Sequence, residues 1–243
     1  MTAPEPLITE RRGIAGWLIF NRPTAGNAMD AAMMADLPGA WQSFEDDPAV
    51  HVIIVSGIGR TFQTGLDMVQ LSRDPDALRE ASRRTKRGNP QLTGLHLGVT
   101  KPVITAVNGV CAGGGLHFVT DADIVIAATN ATFVDPHVSV GQVSAFESVG
   151  LVSRAAFGPV ARMVLAGAHE RVTAQRAYDL GWVSALVDSE ELWPAAQQLA
   201  EQIGENPPEA LAQSKAALWS ALEIGRSAAM GRGRQTESEQ QLT

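Results

Sequence analysis

Cysteine and tyrosine occur once each in the 243 residues. No apolar run is long enough to cross a bilayer. The lone thiol, Cys111, excludes an internal disulfide and suits a reducing compartment. Positive charge is also scarce, with 19 Lys and Arg against 26 Asp and Glu, a net charge of −7 and a pI near 5.2. That balance argues against nucleic acid or an anionic membrane as the main partner. The opening MTAPEPLITERRG has no apolar stretch of signal-peptide length, so a cytoplasmic location is expected. Repeats and low-complexity tracts are absent too.

What the chain does contain is an alternation of β-rich runs and helical stretches. GWLIF (16–20), HVIIVSG (51–57), KPVITAVNG (101–109), ADIVIA (122–127) and ATFV (131–134) read as strands. A helix is expected from about Asp30, its N-cap, to Phe44. Beyond about Phe146 the pattern turns helical, with WVSALV (182–187) as an interruption. Strands interleaved with helices and followed by a helical tail indicate an α/β fold. The expected division is a core over residues 1–190 and a C-terminal helical region over 191–243 that serves oligomerisation. The final GRGRQTESEQQLT is polar and expected to fray.

Two loops have the makings of a site. RTFQTGLDM (60–68) follows one strand and CAGGGLHF (111–118) another. Each puts glycine at the end of a strand, where open α/β sheets hold their ligands. Glycine admits a ligand to the backbone, and a helix starting near Gly114 would aim N–H groups and its positive end at it. Paired backbone donors of this kind stabilise a carbonyl oxygen that gains negative charge. Taken singly, either loop also reads as an ordinary strand-to-helix turn.

Together FQTGLD (62–67), KPVITAVNGVCAGGGLHFVTDADIVIA (101–127) and ATFVDPHVSVG (131–141) resemble the enoyl-CoA hydratase/isomerase family, the crotonase superfamily. RPTAGNAM (22–29) and AQRAYDLGWVSALV (174–187) are similar to two further elements of that family. The resemblance implies a crotonase-like β-β-α spiral core with the helical region at its end, assembled as a homotrimer or a dimer of trimers. It implies an acyl-CoA thioester as substrate, with coenzyme A present only as part of that substrate and no other cofactor. The oxyanion donors would be the N–H groups of Leu66 and Gly114, with Ala28, Gly65, Asp67 and Gly113 forming the substrate-binding surround. Asp123 falls where the family keeps a structural aspartate.

In hydratases of the family two glutamates share a water; the matching positions here are His117 and His137. Neutral imidazole is a stronger base than carboxylate and both donates and accepts, so the pair can move a proton near neutral pH. An acid-side loss of activity between about pH 6 and 7 is the corresponding expectation, belonging to the pair. Glu147, in SAFESVG, is the third catalytic candidate, as the carboxylate that orients a histidine; its other reading is a charge at a helix N-terminus. No third ligand at helical spacing is read beside the histidines, so no metal is expected. His117, the DPH at 135–137 and Glu147 also resemble the β-diketone hydrolase branch of the superfamily.

Other positions depart from the family. DMVQLSRD lacks the lysine that often contacts coenzyme A, and Thr24 stands where a basic residue is common. RRTKRG (83–88) reads as a solvated helix face or a replacement for those contacts. The leading expectation is a lyase or hydrolase that stabilises an enolate or oxyanion of an acyl-CoA, with the histidine pair transferring protons. The alternatives are a carbon–carbon hydrolase of a cyclic β-diketone and a non-catalytic acyl-CoA-binding subunit.

Overall fold

The structure, a computed structural model, describes residues 5–76, 80 and 91–224. The basic RRTKRG and the polar C-terminal stretch lie outside the described residues.

An antiparallel hairpin opens the chain, β1 (Leu7–Arg12) and β2 (Ala15–Phe20). Helix α1 (Ala31–Asp46) follows, and its first turn is capped as its sequence demands: Asp30 Oδ1 accepts from the Met33 N–H at 2.8 Å. The chain then repeats one move three times. A long strand, β3 (Val52–Gly57), is followed at once by a short one, β4 (Thr61–Gln63), and by helix α2 (Met68–Arg73). The second turn is β5 (Val103–Val107), β6 (Val110–Ala112) and the one-turn helix α3 (His117–Thr120). The third is β7 (Ile124–Ala128), β8 (Thr132–Val134) and helix α4 (Phe146–Val152).

Each long strand joins one sheet and each short strand the other, so the chain winds as a β-β-α spiral. Completed by β9 (Val172–Thr173) and β10 (Ala185–Val187), the sheets have the orders β1-β2-β3-β5-β7-β10 and β4-β6-β8-β9. From β2 onward the first sheet is parallel. All six residues of β3 are buried, which is why its VIIVSG lacks the alternation of a one-sided strand.

Helices α5 (Phe157–Ala166) and α6 (Ala174–Asp179) follow the third turn, and α7 (Leu192–Gly204) and α8 (Pro208–Ile224) end the described chain. One apolar core fills the space between the sheets and α1; a second lies between the outer face of the six-stranded sheet and α7. Trp193 and Trp219, in the C-terminal helical region, make contacts within the chain. Trp193 donates to Ser56 Oγ at 3.0 Å and packs its ring 5.1 Å from Trp17. Trp219 donates to Asp123 Oδ1 at 2.6 Å. Each indole N–H takes an acceptor within its own chain, and Leu218 and Leu222 are the exposed large apolar side chains of α8. Asp123 is structural, as expected: it also accepts from the Val103 N–H and pairs with Lys215.

Candidate active site

The two glycine loops meet backbone to backbone. A methyl group built on Gly65 would lie 3.0 Å from the Gly114 nitrogen, and one on Gly115 only 2.3 Å from the Gln63 carbonyl oxygen. Side chains at these positions would hold the loops apart, so the glycines permit the approach. Gly65 also has φ +87°, which only glycine adopts without strain. The buried Gln63 side chain fixes the loop from below, accepting from the Gly65 N–H at 2.7 Å.

Leu66 pairs with Met29 as an isolated parallel bridge. Met29 donates to the Gly65 carbonyl at 2.7 Å and Asp67 donates to the Met29 carbonyl at 2.9 Å. In that pattern the N–H of the residue between, Leu66, points to the opposite edge. Gly114 lies in the first turn of the 3₁₀ segment Gly113–Leu116, where N–H groups have no intrahelical acceptor. The helix expected to open at Gly114 is thus a 3₁₀ turn leading into the four-residue α3, and so short an element adds little dipole. What the two loops offer a ligand is individual N–H groups.

Asp67 and Ala28 support the loop. The Asp67 carboxylate caps α2 through the Val69 and Gln70 N–H groups and pairs with Arg22 Nη2 at 2.7 Å. Burial pushes its carboxyl up, but the Gln70 N–H and the Arg22 guanidinium outweigh this and hold it below the usual range. Arg22 also donates to the Ala28 carbonyl and lies 3.1 Å from Asp30, tying the early turn to the loop.

The histidines converge from different turns of the spiral. His117, on α3, and Glu147, on α4, are both buried, with His117 Nε2 3.2 Å from Glu147 Oε1. His137 Nε2 is 3.8 Å from the same oxygen, so one carboxylate stands between the two rings. The His137 ring also flanks the oxyanion loop, since a methyl group on Gly113 would lie 3.7 Å from its Cε1. Glu147 also sits in the first turn of α4, at the helix N-terminus of its other reading. Burial alone pushes Glu147 up, yet the hydrogen bond and charge of His117, with the charge of His137, hold it below the usual carboxylate range.

Four residues escape the sequence reading. Asp135 is fully buried and its Oδ1 lies 2.6 Å from His137 Nδ1, while Ser144 donates to Oδ2 at 2.5 Å. Burial raises the Asp135 carboxyl, and these two hydrogen bonds more than offset it, so it is held low. The contact requires the proton on His137 Nδ1, leaving Nε2 as the basic nitrogen. Its signal was available, two residues before His137. On the far side of His117, His96 packs edge-on at 5.6 Å between ring centroids, and its Nε2 is 3.2 Å from Asp121 Oδ2. Asp121 lies four residues after His117, which is the third ligand-type residue at helical spacing that the sequence reading overlooks.

Comparison with known proteins agrees with this architecture. The model of the family described as enoyl-CoA hydratase/isomerase matches residues 10–241. The chain is 32% identical over 214 residues to the (E)-benzylidenesuccinyl-CoA hydratase of Thauera aromatica, covering 87% of this chain and 81% of that one. It is 30% identical over 230 residues to the 2,3-dehydroadipyl-CoA hydratase of Escherichia coli, covering 94% and 88%. Among solved structures, an enoyl-CoA hydratase/isomerase from Mycobacterium paratuberculosis superposes with a TM-score of 0.83 at 34% identity, covering 98% of this chain and 90% of that one. With a spiral core of that shape, paired glycine loops and a family match over nearly its whole length, the chain belongs to the enoyl-CoA hydratase/isomerase, or crotonase, family of enzymes.

Proposed function

We propose that the protein adds water across the double bond of an α,β-unsaturated acyl-CoA thioester. The observation that carries this reading is Glu147 Oε1, 3.2 Å from His117 Nε2 and 3.8 Å from His137 Nε2, beside the Gly113–Gly114 loop. The thioester carbonyl accepts from Leu66 and Gly114, which stabilise the enolate as it forms. His137 Nε2 takes a proton from water, whose oxygen bonds to the β-carbon while the π electrons move onto the carbonyl oxygen. His117 gives a proton to the α-carbon, and Glu147 returns the proton from one ring to the other. Water is consumed whole, and no cofactor beyond the coenzyme A of the substrate enters the balance. The names of two curated relatives, hydratases of (E)-benzylidenesuccinyl-CoA and of 2,3-dehydroadipyl-CoA, support the substrate class.

A second reading rests on Asp135. A carboxylate 2.6 Å from a histidine nitrogen is the pairing that makes water a nucleophile towards a carbonyl, which favours carbon–carbon hydrolysis of a cyclic β-diketone. A panel holding both substrate classes separates the two. Loss of the conjugated-thioester absorbance supports hydration; consumption of diketone without thioester turnover replaces it with hydrolysis. The assembly we propose is a trimer, built on the apolar side chains that α4 and α5 leave exposed.

A further inference from the structure

His96, His117 and Asp121 are the one group of three metal-ligating residues among the described residues whose ligand atoms all lie within 4.8 Å of one another. We propose that they form a binding site for a divalent transition-metal ion of the zinc class, one that switches the active site off. Two imidazoles and a carboxylate are the donor set of an open zinc site, with the fourth position left to water. The separation of His96 Nε2 and Asp121 Oδ2, 3.2 Å, fits two ligands at about 2.0–2.1 Å from a tetrahedral ion, which stand roughly 3.3 Å apart. His117 and Asp121 share a helix face at i and i+4, and His96 closes the group from the segment ahead of β5.

Outer partners for two of the three ligands are already in place. Glu147 engages His117 Nε2, which leaves the lone pair a cation requires on Nδ1. Thr120 donates to Asp121 Oδ1 at 3.0 Å and Thr93 to Oδ2 at 2.8 Å, fixing the carboxylate. His96 Nδ1 is buried without a partner among the described residues, so the third ligand is the one whose outer position stays open. Asp121 supplies one of the three ligand atoms, and a second carboxylate, Glu147, stands behind His117. An ion held on Nδ1 fixes His117 as the neutral Nε2–H tautomer, so the ring can no longer take up a second proton to give away.

Calorimetric titration of the chelator-treated full chain with zinc sulfate tests the site. One ion per chain is expected, with His96→Gln and Asp121→Asn each weakening binding at least tenfold, and His51→Gln and His169→Gln changing it less than twofold. Cobalt bound in place of zinc should give the strong visible absorption of a four-coordinate ion. Thermal melts establish that each variant is folded. Absence of one-to-one binding, or binding that survives both His96→Gln and Asp121→Asn, overturns the proposal. The off-switch rests on the hydration reading and is read separately: zinc should inhibit the wild type, and His96→Gln should escape. An enzyme that binds zinc but turns over no thioester overturns the reaction and leaves the site standing.

Discussion

Three of the five histidines, His96, His117 and His137, lie around one carboxylate or next to a ring that does, and each is held by an acid of its own. The division of labour follows from those acids. In the proposed reaction Asp135 makes His137 the base by accepting a hydrogen bond from its Nδ1–H, and Glu147 links the two rings. His117→Ala and His137→Ala should each lower turnover about a hundredfold or more, with the double variant little worse, since they act as one unit. Steady-state kinetics on the three variants checks this. Asp135→Asn should cost activity by a similar factor, because an amide no longer fixes the tautomer.

Asp135 also governs stability against pH. Its folded-state pKa is depressed, so its contribution is present above the unfolded value of 3.8 and disappears as pH falls through the folded one. The gap in melting temperature between wild type and Asp135→Asn, worth about 1–3 kcal/mol for a buried hydrogen-bonded carboxylate, should hold from pH 6 to 8 and close below roughly pH 4. A gap independent of pH would show that the charge plays no part. His117 and His137 were legible from the glycine triplet and the DPH. The acid behind His137 lay in that same DPH, but its pairing depends on a turn geometry that residue types do not disclose.

At the scale of elements, the proposed oxyanion site is a contact between two loops rather than a property of either. Gly115→Ala places a methyl group 2.3 Å from the Gln63 carbonyl oxygen, so the loops must part. The expected result is a turnover loss above tenfold with destabilisation of about 1–3 kcal/mol. Gly158→Ala is the contrast: it lies in α5 with nothing within 4 Å of the added methyl group, and should leave turnover unchanged and raise the melting temperature. Gly114→Pro removes a donor outright and should cost about a hundredfold in turnover.

The long buried strands and α1 were legible because β-branched runs and an Asp N-cap carry strong local signals. The second sheet was legible only in β8, read from ATFV. β4 and β6 are three residues each, too short for any period, and exist because the long strands beside them fix where the chain must turn. β1, LITERR, was missed for another reason: it is an edge strand with alternating polar residues, and reads as a polar leader until β2 pairs with it.

For the whole molecule, the spiral brings three loops from three turns to one place, which is why residues far apart in sequence form one site. It also leaves an apolar cavity of about 350 Å³ between α4 and α5, bordered by the exposed Val149, Phe157 and Leu165. An exposed apolar patch of this kind is where the proposed trimer would seat a further copy of the chain. Sedimentation should show a species of three chains at micromolar concentration, and Phe157→Asp with Leu165→Asp should shift it to monomer. A wild-type monomer would contradict the assembly.

The central claim is that a histidine pair around Glu147 moves protons for a carbonyl held at Leu66 and Gly114. Its most direct test is the ultraviolet absorbance of a panel of α,β-unsaturated acyl-CoA thioesters, followed with wild type and with His137→Ala. Wild type should bleach at least one thioester, and the folded variant should do so about a hundredfold more slowly. Equal rates in the two proteins, or a wild type that bleaches none of the panel, would contradict it.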